Sequence, residues 1–79
     1  MRGIFRRITK MKDGTEKDFL LKSFYSAKKY ITAEDEQSLQ VVISRLNGLY
    51  QGMSKEGQEI SVALVNAIME AIGKVWEVK

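Results

Sequence analysis

From Ser54 onward, Ile60, Leu64, Ala67, Ile68, Ala71, Ile72 and Val75 recur at intervals of three and four residues, and Val62, Val65, Met69 and Trp76 broaden the same stripe. That period is the period of an α-helix, and Ser54 is a residue type that caps a helix start. An apolar arc this wide leaves mainly Glu59, Asn66, Glu70 and Glu77 for water. The last segment is therefore expected to be a central helix, covered from two sides by other helices or by a second copy of the chain.

The rest of the chain must supply that cover. The second segment, residues 16–31, places Leu20, Leu21, Phe24, Ala27 and Ile31 at helical spacing. The third opens at Thr32-Ala33-Glu34-Asp35, with acids in the first turn where the helix dipole favours them, and stops near Gly52. Between those limits Leu39, Val42, Ile43, Leu46, Leu49 and Tyr50 share one face, opposite Gln40, Ser44 and Asn47. In the first segment Ile4, Ile8 and Met11 fit one face of a short helix. Asp13-Gly14 is also a hairpin dipeptide, which would pair residues 4–11 with residues 16–24. The second arm lacks strict alternation, so the helix is preferred and the hairpin is the alternative. The expected fold class is all-α: one domain over residues 1–79, a small bundle of three long helices plus a short basic N-terminal helix.

Seventy-nine residues without cysteine or histidine bound both stability and chemistry. A chain of this size buries only roughly 60% of its unfolded surface, and no disulfide supplements its packing. Serine-histidine, cysteine-histidine and zinc-water mechanisms lack their residues, and no carboxylate lies in an apolar run that would raise its pKa. The chain is expected not to be an enzyme and to use no cofactor or metal. The longest weakly polar stretch, residues 60–65, ends at Asn66, well short of the roughly 20 residues a membrane-spanning helix needs. No apolar core or cleavage site follows the opening basic residues, so no secretory signal is expected and a cytoplasmic location is the default.

Arg2, Arg6, Arg7, Lys10 and Lys12 lie in a stretch without acid, while the remaining chain has eight basic residues against ten acidic ones. They are candidate contacts to an acidic partner, to phosphate or to an anionic membrane face; the alternative is a solvated helix surface. Trp76, with Tyr50 and Tyr25 elsewhere in the chain, is a candidate partner-binding anchor, with core or dimer packing as the alternative role. Gly57 and Gly73, inside the last helix, each cost about 1 kcal/mol relative to alanine. A helix-turn-helix reading of residues 45–52 fails on the helix that follows, whose Glu56, Glu59, Glu70 and Glu77 would face phosphate.

Residues 26–30, Ser-Ala-Lys-Lys-Tyr, with residues 42–50, Val-Ile-Ser-Arg-Leu-Asn-Gly-Leu-Tyr, resemble the second-to-third helix passage of enterocin A-type bacteriocin immunity proteins. The resemblance covers about the middle third of the chain and carries no catalytic motif. It implies an antiparallel helical bundle that protects its producer through a membrane permease. The expected function is protein recognition, as an immunity factor or a mobile-element-encoded inhibitor, with a homodimer through the last helix among the partners. A nucleic-acid-associated accessory protein using the basic N-terminal stretch ranks second, and an anionic membrane surface ranks with it as a partner.

Overall fold

The computed structural model describes the backbone of residues 2–76 and the side chains of residues 3–73. Helix α1 (Arg2–Thr9) leads through a short turn into α2 (Thr15–Thr32). Helix α3 (Glu36–Leu49), a single 3-10 turn (Tyr50–Gly52) and α4 (Lys55–Trp76) follow. The chain is an all-α bundle, with no strand among the described residues. Asp13-Gly14 joins two helices and forms no hairpin. The 22 residues of α4 span about 33 Å at 1.5 Å each, which accounts for most of the 40 Å long dimension.

One face of each helix closes the interior: Ile8 from α1; Leu20, Phe24 and Ala27 from α2; Leu39, Val42 and Leu46 from α3; Ile60, Leu64 and Ile68 from α4. In α2, α3 and α4 successive positions lie three or four residues apart, so each stripe points inward. The central position is shared. Both α2 and α4 touch all the other helices, whereas among the described residues α1 and α3 do not meet. The arc of α4 was expected to be covered from two sides, by other helices or by a second copy; within one chain Val62 and Met69, on its outward side, are exposed, and Val65 and Ile72 beside them are only half-buried.

The link between α2 and α3 corrects the expected start of the third helix at Thr32. Thr32 ends α2, and its hydroxyl donates to the Lys28 carbonyl. The Glu34 and Asp35 N–H groups then donate back to the Ile31 and Tyr30 carbonyls, closing the last turn of α2. Glu34 takes the left-handed φ of 55° that this closure requires. Asp35 caps α3: its carboxylate accepts from the Ser38 N–H at 3.1 Å and the Ser38 hydroxyl at 2.7 Å. These two bonds, the hydroxyl first, hold its carboxyl below the ordinary aspartate range. Leu49, expected on the inner face, is exposed, because α3 ends there and the chain turns away into the 3-10 segment.

The start of α4 is capped twice. The Ser54 hydroxyl accepts from the Gly57 N–H at 3.2 Å, as the sequence anticipates for this position. Glu16, from α2, accepts from both the Ser54 N–H at 2.9 Å and the Ser54 hydroxyl at 2.6 Å. A Cβ at position 57 would fall on the Glu16 carboxylate. Gly57 thus leaves room for that carboxylate, which a side chain there would displace, a role that the helix-propensity argument alone does not show.

Candidate functional site

Three of the basic candidates belong to α1 itself. Helix α1 is short and amphipathic: Ile8 is fully buried and Ile4 and Phe5 are half-buried, which turns Arg6 and Arg7 to solvent. Arg7 reaches across to Glu59 of α4, with Nη2 to Oε2 at 3.7 Å. Both partners are largely exposed, so this pair contributes little to stability, though it directs Arg7 toward α4. Lys10 follows α1, its N–H still bonded to the Arg6 carbonyl, and its side chain is exposed. Lys12 is exposed in the turn, at the rim of a shallow depression shared with Asp13, Gly14, Glu16, Ser54 and Glu56. Arg2 and Trp76 have their backbone in α1 and α4, and their side chains lie outside the described residues.

Helix α2 adds to this surface. Lys22, Lys28 and Lys29 are exposed, and Tyr25 among them is 56% exposed. Phe5 of α1 packs on Phe24 with ring centroids 5.3 Å apart and on Tyr25 at 6.0 Å. That contact packs α1 along α2. Lys17 is less available, since it lies 3.0 Å from the Asp13 carboxylate one turn earlier. Among the described residues no ion pair engages Arg6, Lys10, Lys22, Lys28 or Lys29.

The charge is therefore segregated by helix pair. Residues 1–32 hold nine basic and three acidic groups, a formal +6; residues 33–79 hold four and seven, a formal −3. Arg7 is engaged by Glu59 and Lys17 by Asp13, whereas Arg6, Lys10 and the α2 residues Lys22, Lys28 and Lys29 are exposed and outside these pairs. Tyr25, named in the sequence beside Trp76 and Tyr50 as a possible interface aromatic with core packing as the alternative, is exposed. Phe5 and Phe24 pack edge-on against its ring, and the rest of the side chain faces solvent.

The interior offers no comparable site. Every buried side-chain nitrogen or oxygen among the described residues has a hydrogen-bond partner, and no three acidic groups among them cluster in the manner of metal ligands. An apolar groove between α2 and the 3-10 turn, lined by Phe19, Leu49 and Met53, is shallow and open. No described helix is long and apolar enough to cross a membrane. No protein-family model, no curated protein and no solved structure matches the chain.

Proposed function

We propose that the chain is a non-enzymatic recognition module that binds another protein through its α1–α2 side. The observation that carries this reading is the basic surface outside the described ion pairs around an exposed tyrosine, set against an apolar interior in which no described buried side-chain polar atom lacks a hydrogen-bond partner. Tyrosine and arginine are the residue types that dominate binding energy at protein interfaces. Five free cations steer an acidic partner into contact at physiological salt, where the screening length is about 8 Å. An immunity or inhibitor role is one form of this reading, and it rests on the resemblance within residues 26–50 alone.

Nucleic-acid association is the second reading, and the +6 formal charge of residues 1–32 favours it. Affinity capture at physiological salt, with and without nuclease, separates the two. Protein recognition predicts a discrete protein retained after nuclease treatment and weak retention on duplex DNA or anionic vesicles. DNA binding that falls steeply with salt and is abolished by Arg6→Gln with Lys10→Gln would replace this reading with the second. Arg7 is left unaltered in that test because it is tied to Glu59.

A further inference from the structure

Lys22, Tyr25 and Lys29 lie on one side of α2, three and four residues apart, and all three are exposed. Their spacing sets the two ammonium groups' stems about 10.5 Å apart along the helix, with the ring between them. The ring is held in place: Phe24 meets it edge-on at 5.9 Å and 78°, and Phe5 at 6.0 Å and 62°. A tyrosine braced by two aromatic neighbours loses little freedom on binding, so it presents a preformed apolar surface with a polar tip. Arg6, next to Phe5 in the chain, is exposed on α1. Asp18, exposed one turn before Lys22, bounds the positive stretch at that end.

This pattern has a natural complement. A helix repeats its own side chains every seven residues over the same 10.5 Å or so, so carboxylates seven apart on a partner helix match Lys22 and Lys29 in register. A polyphosphate backbone, with a charge at every step, would instead run on into Asp18. We infer that the Lys22–Tyr25–Lys29 stripe docks an acidic amphipathic helix of a partner protein. Two carboxylates seven residues apart meet the lysines and an apolar side chain between them packs on the Tyr25 ring. This inference rests on the protein-recognition reading and names the face and the chemistry of the partner.

The test titrates the isotopically labelled chain by NMR at physiological salt. The probes are a synthetic helical peptide with glutamates seven apart around a central leucine, an isomer of identical composition with the glutamates moved off that face, and a short DNA duplex. The patterned peptide should shift resonances in α1 and α2, bind roughly tenfold more tightly than the isomer, and lose about tenfold with Lys22→Gln and Lys29→Gln together. Equal binding of the two peptides, shifts centred on α3 or α4, tighter binding of the duplex, or no binding at millimolar peptide would each overturn the inference. Should the stripe fail while affinity capture still yields a nuclease-resistant protein, recognition stands on a different face. Nuclease-sensitive capture would remove both.

Discussion

At the scale of single residues, the α2–α3 link concentrates two opposing features. Glu34 occupies the left-handed position that most helices fill with glycine, a conformation that costs a side-chain-bearing residue roughly 1–2 kcal/mol. Glu34→Gly should therefore raise stability by up to about 1 kcal/mol, less whatever contact the carboxylate makes, as read by urea denaturation. Unchanged or lower stability would mean that the Glu34 side chain offsets its own strain. Asp35 acts in the other direction. Its folded pKa is lowered by the Ser38 hydroxyl and N–H, so its contribution is complete above the unfolded pKa of about 4 and is lost as pH falls through the lower folded value. Asp35→Ala should flatten that part of the stability profile, and an unchanged acid limb would show that the cap is not formed in solution. Neither residue announced itself in the sequence. Acids in a row read equally well as a first helical turn, and the direction of the backbone at Glu34 is settled by the packing of α2 against α3.

At the scale of elements, the periodic stripes were legible because a 3.6-residue repeat needs no tertiary information. Leu20, Phe24, Leu39, Val42, Leu46, Ile60, Leu64 and Ile68 are inside, where their spacing put them. The Ser54 cap was legible for the same reason, being local. The Glu16 cap was not, because its partner is 38 residues away, and a local reading of Gly57 could see only a weak helix former. That pairing supports a double-mutant test. Gly57→Ala alone should be neutral or destabilising, since the methyl group displaces the Glu16 carboxylate and offsets the roughly 1 kcal/mol of helix propensity gained. In a Glu16→Ala background the same substitution should stabilise by about 1 kcal/mol. Equal effects in both backgrounds, measured by chemical denaturation, would show that Glu16 and Gly57 do not interact.

At the scale of the whole molecule, two surfaces remain for partners. The outward side of α4 carries Val62 and Met69 seven residues apart, with half-buried Val65 and Ile72 at the intervening three- and four-residue steps. That is the spacing of a two-helix seam, and a second copy of the chain is the proposed occupant. Sedimentation equilibrium at micromolar concentration should show a dimer that Met69→Lys weakens; a monomer throughout would leave the α4 face without this role. The α1–α2 side is the other surface, and it carries the central claim. Sequence showed its basic residues and offered Tyr25 as a possible interface aromatic, while the engagement of Arg7 by Glu59 and the packing of Phe5 against Tyr25 required the placement of α1 on α2 and α4.

The most direct test of that claim places a photo-crosslinking phenylalanine derivative at position 25, at position 41 on the exposed side of α3, or at position 69 on α4, in cells that make the protein. The three sites sample different sides of one bundle, and each native side chain there is exposed. The account predicts a discrete, nuclease-resistant protein adduct from position 25, none from position 41, and self-adducts alone from position 69. A heterologous protein adduct from position 41 or 69 with none from position 25, or nucleic-acid adducts from position 25, would contradict it.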